Sequence, residues 1–238
     1  EVANEGKAYY PSKLMPWLYN DKLQSPVDAI LDEAAKHGMK VFMSTGWAKD
    51  QDDNLLDPVI KERQLQIMEE LASLYKNHKA FYGWYLPVED CLCPIFAEHA
   101  VQSVNALTEK AHSLTPGKKT LISPYGIGLS EFDHPDFEKQ MAKLKVDIIA
   151  YQDEVGCVRD KFTLPRLKKN WQRMRDIHNR LNIEMWANCE TFTWEEGTND
   201  RQSALIPAAY SRLLSQQVAA SVAGVDKIIS FMFGGIIE

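Results

Sequence analysis

The stretch VDIIAYQDE, residues 146–154, decides the fold of this 238-residue chain. Its first six positions are apolar apart from Asp147, and helical patterns lie before and after it. Such a run between helices is typical of a buried strand in a parallel sheet. The polar residues Gln152, Asp153 and Glu154 follow directly. The stretch therefore predicts a helix–strand–helix repeat whose strand ends in groups capable of chemistry.

The same alternation of helix and strand extends outward in both directions. Five further apolar runs each follow a helical pattern, and these predicted strands cover residues 40–45, 81–86, 120–123, 183–188 and 227–233. Mostly apolar strands separated by helices predict a parallel sheet covered by helices. The regular recurrence, with no glycine-rich dinucleotide turn, favours a closed barrel over a doubly wound sheet.

The strand count is lower than a closed barrel requires. A (β/α)8 TIM barrel has eight parallel strands, whereas this sequence has six clear ones and a weak candidate at residues 7–10. We therefore expect residues 1–238 to form a single (β/α)-barrel domain of the TIM barrel class that lacks its first one or two strands. The missing strands are expected before Glu1.

Composition narrows the range of partners and cofactors. The formal net charge of −6 argues against a nucleic-acid partner, because phosphate binding needs clustered lysine and arginine. No stretch has the roughly 18 apolar residues of a membrane span. The Cys91-Leu92-Cys93 spacing is too short for a CxxC redox or zinc pair, and no histidine completes a site with it. We expect plain thiols, no metal and no organic cofactor; the oligomeric state is not indicated.

Carboxylates, amides and aromatic rings lie on or just after the predicted strands. In barrels of this kind the loops at the carboxyl ends of the strands carry the functional site. Carboxylates serve acid–base or nucleophilic chemistry on sugars, and flat rings stack on apolar sugar faces. We therefore predict a carbohydrate site with these residues: Trp47, Tyr85, Glu89, Tyr125, Tyr151, Gln152, Asp153, Trp186, Asn188 and Glu190.

Two glutamates are the strongest candidates for chemistry. Side chains alternate between the faces of a strand, so Trp186, Asn188 and Glu190 share one face and Glu190 should point inward over the rim. Glu89 shares parity with Tyr85 on another strand. The alternative for either glutamate is a structural role, in which it caps the next helix or pairs with an arginine.

Several pieces of the sequence carry a family resemblance. They are Tyr10-Pro11-Ser12 and the stretches at residues 38–42, 83–89, 147–156 and 186–192, of which the last two contain the more specific patterns Gln-Asp-x-x-Gly and Asn-x-Glu-x-Phe. With these pieces the chain resembles the domain-of-unknown-function family 4434, which is grouped with the glycosidase TIM barrels. The resemblance implies a protein that is secreted, periplasmic or lipid-anchored, with its signal outside this chain.

The resemblance also implies roles for the two glutamates. It places Tyr-Pro-Ser after strand two, so the six predicted strands become numbers three to eight, with Glu89 ending strand four and Glu190 ending strand seven. Many retaining glycosidases of this superfamily carry the acid/base at strand four and the nucleophile at strand seven. By that resemblance Glu89 is the acid/base and Glu190 the nucleophile. One departure is Val88, which stands where those enzymes usually carry asparagine.

Two functions from different classes follow. The first is a glycoside hydrolase in which the carboxyl groups lie about 5–5.5 Å apart for retention or about 6.5–9.5 Å apart for inversion. The second is a barrel that binds glycan without cleaving it, or a domain of a larger polysaccharide-processing protein. Metal-dependent hydrolysis is disfavoured, because no predicted strand ends in histidine.

Overall fold

A computed structural model of the chain describes residues 3–4, 6–18, 24–46, 56–156, 164–197 and 203–231. The chain divides into two compact units, one formed by residues 1–88 and 102–122 and the other by residues 89–101 and 123–238. The expectation of a single barrel domain stays a prediction. Within the described ranges, none of the helices combines the length and the hydropathy that a membrane span needs.

The first unit repeats the parallel arrangement of strand and helix. Strands β3 and β4 pair in parallel, and so do β4 and β5. Its elements in chain order are β1 (Ala3–Asn4), β2 (Lys7–Ala8), α1 (Pro26–Lys36), β3 (Val41–Ser44), α2 (Pro58–Tyr75), β4 (Phe81–Tyr85), α3 (Glu98–Leu114, within this unit from Gln102) and β5 (Lys119–Ile122). The weak strand expected at residues 7–10 is present as β2 but is shorter, and it pairs antiparallel with β1 in a short hairpin rather than with a parallel strand.

Helix starts in this unit follow the capping chemistry of the sequence. Ser25 accepts the N–H of Asp28 at 3.1 Å, and Pro26 occupies the first turn of α1. Asp57 likewise accepts the N–H of Val59 at 2.8 Å ahead of α2. Each cap satisfies a backbone donor that has no partner within the helix, which fixes the residue at which the helix begins.

The Tyr10-Pro11-Ser12 motif has a structural contact in this unit. Glu70 of α2 accepts hydrogen bonds from the Tyr10 hydroxyl (2.7 Å), the Ser12 hydroxyl (2.5 Å) and the Lys13 backbone N–H (2.5 Å). Tyr10 itself is fully buried. The motif therefore anchors the segment after the β1–β2 hairpin to α2 through one carboxylate.

The second unit contains three more parallel strands. Strand β6 pairs with β7, and β7 pairs with β10. Its elements are α4 (Phe137–Ala142), β6 (Ile148–Gln152), α5 (Leu164–His178), β7 (Glu184–Glu190), β8 (Phe192–Trp194), β9 (Leu205–Pro207), α6 (Tyr210–Ala223) and β10 (Lys227–Phe231). The antiparallel β8–β9 hairpin was not predicted. The register sets Glu190 opposite Phe231, so β7 and β10 end level, and sets Gln152 opposite Asn188, so β6 ends two residues earlier.

The core between β6 and α5 contains a buried polar pair. The Tyr151 hydroxyl donates to Nε2 of His178 at 2.7 Å, and Nδ1 of His178 donates to the Ile183 carbonyl at 2.9 Å. Burial lowers the pKa of His178 to about 4, which keeps the ring neutral. Tyr151 is fully buried and its ring contacts Trp171 edge-on. Tyr151 therefore packs in the core of the second unit, and its place at a binding rim stays a prediction.

Candidate functional site

The residues Gln152–Gly156, which end β6 and follow it, connect the two candidate glutamates within the second unit. We call them the QDEVG segment. The Gln152 side-chain amide donates to Oε1 of Glu89 at 2.7 Å and to the Ser123 carbonyl at 2.9 Å. Glu89 is exposed. Gln152 thus ties an exposed carboxylate to the backbone at Ser123 and fixes one of its oxygens.

The other end of the QDEVG segment holds Glu190. Glu190 is the last residue of β7 and is 3% exposed. Its Oε2 accepts the backbone N–H of Gly156 at 2.6 Å. A Cβ at position 156 would lie 2.8 Å from that oxygen and 2.6 Å from the Phe192 carbonyl oxygen. Only glycine therefore lets the segment approach the Glu190 carboxylate this closely.

Asp153 lies beneath Glu190. Its Oδ1 accepts the backbone N–H groups of Glu190 (3.1 Å) and Val155 (3.3 Å), and its Oδ2 accepts the Gln216 amide at 2.5 Å. Burial raises the pKa of Asp153, while the hydrogen bond from Gln216 lowers it. Asp153 is fully buried and positions the backbone of Glu190. Its role in substrate binding stays a prediction.

Glu154 is the residue that sequence reasoning noted at a strand end but did not select. It adopts a φ of +55°, which is uncommon for a residue other than glycine and clusters at functional sites. Its side chain faces the segment Gly126–Gly128 and accepts the Gly128 N–H at 3.5 Å. Burial raises the pKa of Glu154, and the N–H groups of this segment lower it. The signal in the sequence was a second acidic residue directly after Asp153.

Tyr125 lies among three carboxylates. Its side chain is 39% exposed. Burial raises the pKa of the Tyr125 hydroxyl, and the negative charges of Asp90, Glu89 and Glu154 raise it further. Tyr125 donates its backbone N–H to the Asp90 carbonyl at 3.3 Å. The structure thus brings the predicted residues Tyr125 and Glu89 together and offers an accessible ring beside them.

Asn188 presents a buried acceptor. Ser123 Oγ donates to the Ala150 carbonyl at 2.7 Å, so its oxygen accepts from Asn188 Nδ2, which lies 3.0 Å away. This fixes the amide orientation and leaves Oδ1 of Asn188 buried, with no hydrogen-bond partner among the described residues. A buried acceptor without a donor is unfavourable. A hydrogen-bond donor on a bound molecule would satisfy it.

Trp186 lies away from this cluster on β7. Trp186 is 4% exposed, donates Nε1 to Glu184 at 3.2 Å and carries Lys227 Nζ 4.7 Å from its ring centroid. It lies four residues before Glu190 on β7, or roughly 13 Å along the strand, and its role in sugar binding stays a prediction. Tyr85 is half-buried at the end of β4 in the first unit. Trp47 lies outside the described residues.

The segment after Glu89 corrects the expectation for the cysteines. Cys91 and Cys93 form a disulfide rather than two thiols, and Cys189 is a buried thiol. Asp90 accepts the Cys91 N–H at 2.6 Å and pairs with His99 Nε2 at 2.7 Å. Spacing gave no hint of this bond, because two cysteines separated by one residue are rarely considered as partners. In the described part of the chain, no group of three His, Cys, Asp or Glu side chains is arranged to hold a metal ion.

Comparison with known proteins gives a family and a fold. The model of a family described as Domain of unknown function (DUF4434) matches residues 1–238. A search of curated proteins found no match to this sequence.

Three solved structures share the fold. A "putative alpha-L-fucosidase" from Bacteroides thetaiotaomicron is 21% identical, with a TM-score of 0.76 over 98% of this chain and 74% of that one. An intracellular xylanase from Thermoanaerobacterium saccharolyticum is 14% identical, with a TM-score of 0.55 over 94% and 76%. A GH10 xylanase from Thermobacillus composti is 16% identical, with a TM-score of 0.57 over 94% and 74%. With the parallel strand–helix repeats of both units, these neighbours confirm the predicted (β/α)8-barrel class.

Proposed function

The chain belongs to the family Domain of unknown function (DUF4434), and on that premise we propose that it is a glycoside hydrolase whose catalytic pair is Glu89 and Glu190. The observation that carries the proposal is the QDEVG segment. It donates a hydrogen bond to Glu89 at one end, through Gln152, and to Glu190 at the other, through Gly156. One short segment thus orients both carboxylates, as a two-carboxylate mechanism requires.

The surroundings of each glutamate suit a different role. A nucleophile must be ionised and oriented, and the Gly156 N–H stabilises a carboxylate at Glu190 and fixes its Oε2. An acid/base must exchange protons with water, and Glu89 is exposed. Glu190 would attack the anomeric carbon while Glu89 protonates the leaving oxygen, through an oxocarbenium-like transition state. The separation of the two carboxyl groups stays a prediction.

Sugar binding would use the groups around this pair. The Tyr125 ring is the accessible aromatic surface beside Glu89. Asn188 Oδ1 is a buried acceptor that receives no hydrogen bond from the part of the chain that the structure describes. The structural neighbours described as fucosidase, xylanase and glucuronidase all act on glycosides by name, which supports a carbohydrate as the substrate class. At 14–21% identity they support no particular sugar.

A second candidate function is glycan binding without cleavage. The burial of Glu190 favours it, because a carboxylate that is 3% exposed and held by Gly156 has limited access to a ligand. In that case Tyr125 and Asn188 would bind sugar, and Glu190 would serve only to hold the QDEVG segment in place.

The two functions are distinguished by a hydrolysis screen over a panel of glycans and aryl glycosides. We expect the wild type to release sugar from at least one substrate, and Glu190→Gln and Glu89→Gln each to lower kcat/KM by roughly three orders of magnitude or more. Glu33→Gln, which alters an exposed glutamate of α1, is the matched control and should retain full activity. Binding of a glycan without its cleavage by the wild type would favour the second function.

A further inference from the structure

The Cys91–Cys93 disulfide lies directly after Glu89 and Asp90. Both cysteines are half-buried, so the disulfide lies near the surface of the second unit. The Cys91 N–H donates to Asp90 Oδ1 at 2.6 Å, and the Cys93 N–H lies 3.2 Å from Cys91 Sγ. The position of the disulfide is therefore coupled to the carboxylates through a very short length of chain.

The disulfide also packs against the segment that carries Tyr125. Gly126 has a φ of +89°, and a Cβ there would lie 2.6 Å from Cys91 Sγ and 3.5 Å from Cys93 Sγ. The sulfur atoms thus occupy the space that a side chain at position 126 would take. On the backbone, Leu92 donates its N–H to the Tyr125 carbonyl at 2.8 Å. The disulfide therefore packs together with Asp90 and with the segment that carries Tyr125.

We propose that Cys91–Cys93 is a thiol–disulfide exchange site that controls the geometry of Glu89, Asp90 and Tyr125. A thiolate of a low-molecular-weight thiol attacks one sulfur, forms a mixed disulfide and releases the other cysteine as a thiolate, which takes up a proton. A second thiol resolves the mixed disulfide. Two thiols are oxidised to their disulfide, and Cys91 and Cys93 are each reduced to a thiol. Only the consequence for turnover rests on the proposed glycosidase function.

This disulfide contributes little to the stability of the fold. Loop-closure stabilisation grows with the number of residues enclosed, and this loop encloses only Leu92 between its cysteines. Leu92 is fully buried and holds the segment in place without the sulfur–sulfur bond. The fold should therefore survive reduction, which a switch requires.

Reduction has a local steric consequence. Two thiols cannot lie as close together as two bonded sulfur atoms, so the sulfurs must separate on reduction. The side of Cys91 that faces Gly126 is already filled. A separation that moves Cys91 Sγ toward Gly126 displaces the segment that carries Asp90 or the segment Tyr125–Gly126, and the hydrogen bond between Leu92 and Tyr125 then weakens. The oxidised form is the one in which the site is assembled.

The test treats the folded protein with millimolar reduced glutathione, followed by alkylation, peptide mass spectrometry and hydrogen exchange. We expect alkylation at both Cys91 and Cys93, and roughly tenfold faster exchange at the Leu92 amide. Amides in the middle of β7 should be unchanged, and oxidised glutathione should restore protection. On an accepted glycan, kcat/KM should fall several-fold on reduction and recover on oxidation.

The Cys91→Ser/Cys93→Ser double variant is the matched control. Its Leu92 amide should exchange as fast as that of the reduced wild type, and glutathione should not change that rate. A disulfide that resists glutathione in the folded protein would overturn the proposal, as would reduction that leaves the Leu92 amide protected. Both readouts apply whether or not a glycan is cleaved. Loss of the proposed glycosidase activity and loss of this proposal are thus separate outcomes.

Discussion

Gly156 shows how one residue positions the proposed nucleophile. Its missing side chain leaves room for Glu190 Oε2, and its N–H binds that same oxygen at 2.6 Å. Gly156→Ala would force the carboxylate or the QDEVG segment to shift, and a displacement near 1 Å can lower turnover by about 100-fold. We also expect the free energy of unfolding to fall by about 1–3 kcal/mol, from overpacking. Steady-state kinetics and urea denaturation measure the two effects.

The control for this prediction is Gly197→Ala. Gly197 has a φ of +100° and nothing within 4 Å of its added Cβ, so alanine strains the backbone without filling a site. It should lower stability and leave kcat unchanged. Full activity of Gly156→Ala in a stable fold would show that Glu190 does not need this contact.

Strand parity explains which site residues were predictable from sequence. Alternation on β7 puts Asn188 and Glu190 on one face of the strand and Ala187 and Cys189 on the other. The same rule on β6 puts Tyr151 and Asp153 on the face opposite Gln152. Gln152 contacts Glu89, whereas Tyr151 binds His178 and Asp153 binds Gln216. All three residues lie at the end of the strand, but the alternation of side chains puts Gln152 on one face and Tyr151 and Asp153 on the other.

Glu70 is the contact between α2 and the segment that follows the β1–β2 hairpin. It accepts from Tyr10, Ser12 and Lys13. Glu70→Ala leaves these three donors without their acceptor, and we expect the free energy of unfolding to fall by about 1–3 kcal/mol. Glu69→Ala removes only a partly exposed pair with Lys110 and should change it by less than about 1 kcal/mol. Equal effects in urea denaturation would contradict a special role for Glu70.

His178 links β6, α5 and the residues before β7, and it gives the second unit a defined acid sensitivity. Its pKa in the folded chain is about 4, below the ordinary 6.5. The neutral ring therefore contributes stability that is fully present above pH 6.5 and is lost as the pH falls toward 4. That difference corresponds to about 3 kcal/mol. We expect His178→Gln, which keeps both hydrogen-bonding functions and does not titrate, to flatten the pH dependence in this window.

The measurement is urea denaturation at several pH values between 7 and 4 for both proteins. The buried carboxyls Asp153 and Glu154 act in the opposite direction, because their raised pKa values make stability fall as the pH rises. Both proteins contain them, so the difference between the two pH profiles isolates His178. Parallel profiles would mean that protonation of His178 does not destabilise the fold.

Elements were more predictable than the connections between them. The predicted strand at residues 183–188 became Glu184–Glu190, and that at residues 81–86 became Phe81–Tyr85. Apolar runs define such strands because both faces of a parallel sheet are covered. The β8–β9 hairpin has no comparable run, since its residues are half-exposed or exposed apart from Phe192. The Cys91–Cys93 bond was missed because pairing depends on local backbone geometry, which spacing does not specify.

At the scale of the whole molecule, the chain shares its fold with proteins whose sequences differ widely from its own. The chain shares a TM-score of 0.76 with the Bacteroides thetaiotaomicron protein at 21% identity, and 0.55 with the intracellular xylanase at 14%. A pattern of apolar strands and amphipathic helices is enough to preserve a barrel at such distances, whereas function resides in a few side chains. The fold class was therefore predictable from periodicity, and the activity has to be argued from Glu89, Glu190 and the QDEVG segment.

The stereochemistry of the reaction tests the whole assignment. If Glu190 is the nucleophile and Glu89 the acid/base, the reaction proceeds through a glycosyl-enzyme intermediate and retains the anomeric configuration, with the carboxyl groups about 5–5.5 Å apart. Proton NMR of the first product formed should show the substrate's own anomer.

Azide should then rescue Glu190→Ala by attacking the opposite face and giving a glycosyl azide of inverted configuration. The same anion should rescue Glu89→Ala on an activated aryl glycoside with retention, since the intermediate on Glu190 still forms. An inverted first product from the wild type would mean that water attacks directly, and Glu190 would then act as a general base in a wider site.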